Sequence, residues 1–285
     1  MTVIDLEQLR QWEGRQETAS DVIEPAKVRA MAATLDWADP PGAGDELPKP
    51  WHWLYFLPTA RQSKIGRDGH PERGGFLPPV PLPRRMWASG SVEFLAPLRV
   101  GDAATRTSTL GRVTHKRGGT GDLVFVTVGH EIAVNGTCVV REQQHLVYRE
   151  DPDPQAPPPK PVAPPAVAEF SRQWTPDPVL LFRYSALTFN GHRIHYDRDY
   201  AMQEEGYAGL VVHGPLAATL LLDLVRAQCP EQQVGYYEYR AVRPLIDGAS
   251  FRVEGCRDAQ GLKLWVVDHS GAVTMQASVA AERPA

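Results

Sequence analysis

The hydrophobic and polar positions of the chain indicate antiparallel strands in two separate regions. In the first region, residues 94–140, the apolar run LVFVTVGHEIAV lies between a glycine-rich turn at 118–122 and the turn Asn135-Gly136. Asn-Gly is a dipeptide favoured in two-residue hairpin loops. This pattern predicts two consecutive hairpins.

The second region, residues 239–271, has the same organisation. YRAVRPLIDG leads into SFRVEGCR, a turn at 258–261, the strand LKLWVV and a turn at 269–271. In both regions a Pro-Leu pair and an Asp/Gly pair precede two hairpins. We therefore interpret the two regions as copies of one duplicated unit.

An amphipathic helix is expected near the start of the chain. Ser20 or Asp21 provides a candidate N-cap. The apolar positions that would share one face of this helix are Val28, Met31 and Leu35.

A second helix is expected to begin at Gly214, with Pro215 near the first helical position, where a missing N–H costs little. It is apolar nearly all round from 216 to 225, which predicts burial. One buried helix followed by antiparallel strands, present twice, predicts an α+β fold in which a sheet wraps each helix.

A proline-rich segment divides the chain. Residues 152–165 contain eight prolines, a composition that favours a semi-rigid extended spacer. We therefore expect an N-terminal domain at 1–150, a linker at 151–168 and a C-terminal domain at 169–285.

The composition is that of an ordinary globular protein, with 285 residues, 42% hydrophobic residues and a net charge of −4. Neither nucleic acid nor a membrane is an expected partner, because there is no basic excess and the apolar stretch 208–225 is interrupted by polar residues. The N-terminal residues do not resemble a secretion signal. Three widely spaced cysteines form neither a disulfide framework nor a zinc motif, so we expect a cytoplasmic protein.

The candidate chemistry lies in residues 184–200, YSALTFNGHRIHYDRDY, and at the helix start that follows. His195 can exchange a proton near neutral pH. Composition alone favours a structural role for it, but Asn190 five residues before and the helix start at Gly214 favour a functional one. Asn190 could orient a water molecule or only form an Asx-turn. The free N–H of Gly214 could bind an oxyanion, or the glycine could serve only close packing.

Two further features have structural explanations. His192, His195 and His213 could form a three-histidine metal site, but no HExxH pattern or carboxylate ligand accompanies them, so no metal is expected. Asp197 is expected to cap a helix beginning at 198–200.

Residues 61–85 form a glycine- and proline-rich loop with a local excess of four positive charges. A solvated surface loop is the default interpretation. The alternative is a surface that binds the phosphates of a nucleotide-bearing thioester.

The segments YSALTFNGHRIHYDRDYA and VVHGPLAATLL resemble the MaoC-like hydratases. The resemblance is closest to the branch with hydroxyacyl-thioester dehydratase type 2 and the mesaconyl- and itaconyl-CoA hydratases. The segments LPPVPLPRRMWASG, VEFLAPLRVGD and GDLVFVTVGHEI resemble the degenerate N-terminal domain of that branch. The resemblance implies a double hot-dog fold with a catalytic C-terminal domain, and reversible addition of water across a 2-enoyl thioester.

The resemblance also assigns roles to residues. The general MaoC pattern pairs an aspartate with a histidine five residues later, and here these positions hold Asn190 and His195. Because an amide is not a base, proton transfer falls to His195, with Asn190 holding the water and the Gly214 N–H stabilising the enolate-like oxygen. His195→Ala is expected to abolish hydration.

The expected substrate is an acyl-CoA or acyl-carrier thioester, with no cofactor other than the CoA of the substrate. A C5 dicarboxylic group such as mesaconyl or itaconyl is one candidate, and its free carboxylate would pair with Arg193, Arg84 or Arg85. His213 is a further candidate for substrate binding.

Two other functions remain open at this point. Hot-dog folds also host acyl-thioesterases, which release a free thiol whereas hydratases do not. A non-catalytic acyl-thioester binding module would be indifferent to replacement of His195. The oligomeric state is also open, with a homodimer as one candidate.

Overall fold

A computed structural model describes residues 4–118, 121–151 and 160–284 of the chain. The strands in these residues are β1 (Gln16–Val22), β2 (Arg84–Phe94), β3 (Ala103–Gly118), β4 (Gly121–Val134), β5 (Thr137–Arg149), β6 (Phe170–Trp174), β7 (Tyr236–Ala241), β8 (Phe251–Asp258), β9 (Gly261–Val267) and β10 (Val273–Ala280). Within the described ranges they form one ten-stranded antiparallel sheet in the order β1-β3-β4-β5-β2-β7-β10-β9-β8-β6.

The sheet has two halves with the same internal order. They meet where β2 pairs with β7, from Ser89 opposite Arg240 to Glu93 opposite Tyr236. Outward from this junction the first half runs β2, β5, β4, β3, β1 and the second runs β7, β10, β9, β8, β6. This equivalence supports the predicted duplication.

The domain bounds 1–150 and 169–285 and the linker 151–168 stay a prediction. Residues 152–159 of the expected linker lie outside the described residues, and 160–168 contain neither helix nor strand.

The hairpins form where the sequence predicts them. Val134 pairs with Thr137 across Asn135 and Gly136, whose φ angles of 49° and 79° fit the turn that matches strand twist. Asp258 likewise pairs with Gly261. At the β3–β4 turn, residues 119–120 lie outside the described part.

The α-helices are α1 (Leu6–Arg10), α2 (Pro25–Thr34), α3 (Pro178–Thr188) and α4 (Gly214–Gln228). Short 3₁₀ helices span Trp51–Leu54, Gln62–Lys64 and Arg193–His195, and a π-helical turn spans Tyr200–Glu204. As predicted, α4 begins at Gly214 and is buried from Leu216 to Val225, packing against β6, β8, β9 and β10. The expected α+β architecture is confirmed. In the described part of the chain no helix is long and apolar enough to cross a membrane.

The predicted start of the first helix is wrong. Ser20 and Asp21 lie in β1, and α2 begins only at Pro25. Strand pairing with β3 takes precedence over the local capping signal. The Asp21 carboxylate instead accepts a hydrogen bond from the backbone N–H of Phe56, at 2.8 Å.

Candidate active site

A cavity of about 670 Å³ extends from the end of α3 into the first half of the sheet. Its exposed end is formed by aromatic side chains of the second half, Phe182, Phe189 and Tyr196. Its buried end is lined by polar groups of the first half, including His52 and Glu142. Both copies of the duplicated unit therefore contribute to one cavity.

Asn190 lines this cavity directly after α3, which ends at Phe189 in the left-handed conformation with φ 50°. Its Oδ1 accepts the backbone N–H of His192 at 3.0 Å, so the Asx-turn considered from the sequence is present. Its amide nitrogen has no hydrogen-bond partner among the described residues. Asn190 can therefore hold the turn with its oxygen and donate to a ligand with its nitrogen.

His195 lies in the 3₁₀ turn that follows and is buried. It does not itself line the cavity, whereas Gly191 and Tyr196 of the same segment do. Its Nδ1 donates to the carbonyl of Val211 at 2.7 Å, which fixes the tautomer and leaves the lone pair on Nε2. Burial, reinforced by the neighbouring His213, holds the pKa of His195 well below its usual value. The imidazole is therefore neutral, the form that accepts a proton.

His213 packs directly against the imidazole of His195. The two rings stack with centroids 3.7 Å apart, and Nε2 of His213 lies 2.8 Å from Oγ of Ser185, which lines the cavity. Burial lowers the pKa of His213 to about 3. His213 is fully buried and does not line the cavity. Its contacts are those of a residue that positions His195. A direct role of His213 in substrate binding stays a prediction.

Gly214 contributes the first N–H of α4, and its neighbours Pro215 and Trp87 line the cavity. Within the described residues this N–H has no acceptor, as expected for the first turn of a helix. A Cβ on Gly214 would lie 2.9 Å from Cε3 of Trp87. The close packing considered for this glycine is therefore present, and the binding of an oxyanion by its N–H stays a prediction.

A loop of the first half docks against the turn at residues 190–195. The sequence analysis did not predict this contact. The carbonyl of Asp68 accepts the N–H of Arg193 at 2.9 Å. A Cβ on Gly69, whose φ is +88°, would meet the carbonyl of Gly191 at 1.9 Å, so only glycine fits here. This contact brings His70 into the cavity wall beside Asn190.

His70 and Asp68 form a hydrogen-bonded pair, with Nδ1 3.2 Å from Oδ2. Burial, together with the positive charge of Arg85, lowers the pKa of His70 to about 4. Burial raises the pKa of Asp68, but hydrogen bonds from His70 outweigh it and hold that pKa well below its usual range. No local motif marks this pair in the sequence.

The structure brings together a different group of possible metal ligands from the one considered above. Ligand atoms of Asp68, His70 and His192 lie within 4.8 Å of one another. The charge of Arg85 acts on both Asp68 and His70 and disfavours a cation between them. The expectation of no metal stays a prediction.

The arginines expected to bind a substrate carboxylate lie outside the cavity lining. Arg193 pairs with Asp197 at 2.7 Å, and Arg84 pairs with Asp151 at 2.8 Å. Arg85 lies close enough to act on His70. Their role in substrate binding stays a prediction, and the pairing of Arg193 and Arg84 with protein carboxylates weakens it.

Most residues of the loop 61–85 are exposed or half-buried, which fits a solvated surface loop, and binding of thioester phosphates to this loop stays a prediction. Several of its cations pair within the protein, for example Arg67 with Glu204 and Lys64 with Glu72.

The predicted capping role of Asp197 is confirmed by the hydrogen bond that its carboxylate accepts from the N–H of Tyr200 at 3.0 Å.

Comparison with known proteins agrees with this geometry. Residues 50–247 match the family described as hydroxyacyl-thioester dehydratase type 2. The chain is 47% identical over 270 residues to mesaconyl-C(4)-CoA hydratase of Chloroflexus aurantiacus, covering 94% of this chain and 96% of the relative.

Solved structures extend the likeness to the fold. HtdX of Mycobacterium tuberculosis matches with a TM-score of 0.67 at 17% identity, over 93% of this chain and 99% of that one. A conserved hypothetical protein of the same organism, described as having a double hot-dog fold, matches with a TM-score of 0.55 at 12% identity, over 94% and 96% of the chains. The double hot-dog fold and the hydratase/dehydratase resemblance are thus confirmed. The chain belongs to the hydroxyacyl-thioester dehydratase type 2 family of hydro-lyases.

Proposed function

We propose that this protein reversibly hydrates a short 2-enoyl-CoA whose acyl group carries a second carboxylate, such as mesaconyl-C4-CoA. The observation that carries the reaction is the fixed tautomer of His195, whose Nδ1 is bound to the Val211 carbonyl while Nε2 stays free. Its ring stacks on His213, the residue directly before Gly214. The substrate class is supported by the 47% identity to a mesaconyl-C(4)-CoA hydratase.

In the forward reaction Asn190 holds the attacking water with its amide nitrogen. Nε2 of His195 takes one proton of that water as its oxygen bonds to C3. The electron pair of the double bond moves to the thioester, and the oxygen that gains charge accepts the N–H of Gly214. The imidazolium then gives its proton to C2, which restores neutral His195.

The environment of His195 suits this cycle. Burial keeps the imidazole in its base form before the reaction. The Val211 carbonyl holds the ring, and its oxygen stabilises the imidazolium that forms in the intermediate. The reaction needs no cofactor besides the CoA of the substrate. A cytoplasmic location is part of this proposal, and the free thiols of Cys138, Cys229 and Cys256 fit it.

The test follows loss of the enoyl absorbance of crotonyl-CoA and mesaconyl-C4-CoA, together with thiol release. His195→Ala should lower kcat by about 10²–10⁴-fold, the usual contribution of general acid–base catalysis. Asn190→Ala should lower it less, because water can still enter the cavity.

His269→Ala is the matched control, since His269 lies exposed in a turn of the second half. Near wild-type turnover of His195→Ala would contradict the mechanism. Thiol release without loss of the enoyl group would indicate a thioesterase, and binding of a thioester without turnover would indicate a binding module.

A further inference from the structure

The buried end of the cavity is unusually polar for a site that receives an acyl chain. We name it the inner polar cluster; its members are His52, Arg106, His130, Glu142 and Gln144. All five belong to the first half of the chain, and all except His130, which lies in GDLVFVTVGHEI, lie outside the sequence segments that resemble the family. A hydrocarbon terminus placed here would remove water from these groups without replacing its hydrogen bonds.

Glu142 has its hydrogen bonds within the protein. Oε1 accepts Nε1 of Trp53 at 2.9 Å and Nε2 of Gln144 at 2.7 Å, while Oε2 lies 3.1 Å from Nε2 of His52. Burial raises the pKa of Glu142, but the hydrogen bond and charge of His52 outweigh it and bring that pKa to about 2. Glu142 is therefore an ionised carboxylate whose charge is already balanced by donors.

Arg106 has no such partners. Its guanidinium lies 5.3 Å from the ring centroid of Phe56, and its Nε is buried without a hydrogen-bond partner. The charges of Glu17 and Glu142 act on Arg106, but within the described residues no carboxylate forms an ion pair with it. A guanidinium stays charged in proteins, so a half-buried one whose Nε is buried and unpaired is stabilised when an anion binds it.

We propose that Arg106 binds the free carboxylate of a dicarboxylic acyl thioester and that the inner polar cluster is the subsite for this group. The inference rests on the proposed function, because it assumes that an acyl thioester occupies the cavity. The planar guanidinium offers paired N–H groups that match the two oxygens of a carboxylate. Arg106 thus supplies the cation that the sequence led us to expect from Arg193, Arg84 or Arg85.

A matched pair of substrates tests the proposal. Mesaconyl-C4-CoA and 3-methylcrotonyl-CoA differ at C3 only in a carboxylate in place of a methyl group. Arg106→Met should lower kcat/KM for the dicarboxylic substrate by about 10²-fold, as expected on removal of one partner of a buried charge pair. It should change kcat/KM for the methyl analogue by less than about threefold, because Arg106 has no charged group of this substrate to bind.

Arg106→Lys should keep part of the discrimination, because the charge remains but the paired N–H geometry is lost. Arg112→Met is the matched control, since Arg112 lies exposed on the same strand, β3. An equal loss of both activities in Arg106→Met, or no loss of either, would overturn the proposal. A wild-type preference for 3-methylcrotonyl-CoA would overturn it as well.

Binding of saturated analogues keeps this test separate from catalysis. Calorimetry should show that wild-type protein binds 2-methylsuccinyl-C4-CoA more tightly than isovaleryl-CoA, and that Arg106→Met removes the difference. If no enoyl-CoA is hydrated but this preference is seen, the proposed reaction fails while the subsite stands. If hydration proceeds without the preference, the subsite proposal fails alone.

Discussion

Acidification should destabilise this protein strongly, because it buries several histidines in the neutral form. Burial, as the largest cause, lowers the pKa of His213 to about 3 and the pKa values of His70 and His130 to about 4. In the unfolded chain each of these imidazoles titrates near its ordinary value of about 6.5. Between these values the unfolded state binds more protons than the folded state.

The sign and size of the effect follow from this difference. The free energy of unfolding is highest above about pH 6.5 and falls as pH decreases toward the folded pKa values. At about pH 5 each of the three histidines costs about 2 kcal/mol, because 1.5 pH units at 1.36 kcal/mol per unit separate that pH from the unfolded pKa. The sum of about 6 kcal/mol is comparable to the whole stability of a typical domain.

The assay is urea unfolding followed by tryptophan fluorescence at about pH 7.5 and about pH 5, with the same salt concentration. His213→Gln removes one of the three groups, so the loss of stability between the two pH values should shrink by about 2 kcal/mol. His269→Gln, at an exposed position, should leave the loss unchanged. Equal unfolding free energies at the two pH values would refute the reasoning.

Two further predictions concern α4. Gly214→Ala should destabilise the protein by about 1–3 kcal/mol and lower kcat/KM by about 10²-fold, because the new Cβ would meet Trp87 and displace the N–H donor. Thermal unfolding and turnover measure both effects, and a stable, active variant would show that this N–H is not used. The buried Asp223 carboxylate accepts hydrogen bonds from Trp37, Arg172 and Arg226. Asp223→Ala should lower the free energy of unfolding by roughly 3 kcal/mol in urea titrations, with Asp223→Asn in between; unchanged stability would show that these bonds contribute little.

The elements that the sequence predicts well are those with local causes. The hairpin at Asn135-Gly136 forms because these residues accept positive φ, and the start of α4 at Gly214 follows from the proline next to it and the apolar run beyond. The Asx-turn at Asn190 and the cap at Asp197 need partners only two or three residues away. The failure at Ser20 and Asp21 is informative, since β3 satisfies that backbone from more than 80 residues away.

The sequence by itself determined the repeated strands that form the two halves of the sheet, the buried helix and the motif with Asn190 and His195. Only the tertiary structure decided what surrounds that motif. Asp68 and His70 reach it because a loop of the first half docks on Gly191, and Arg106 reaches the same cavity because β3 lies in the first half of the shared sheet. Local patterns report interactions between residues a few positions apart, whereas the charge balance of a cavity depends on which distant side chains remain unpaired after the chain has folded.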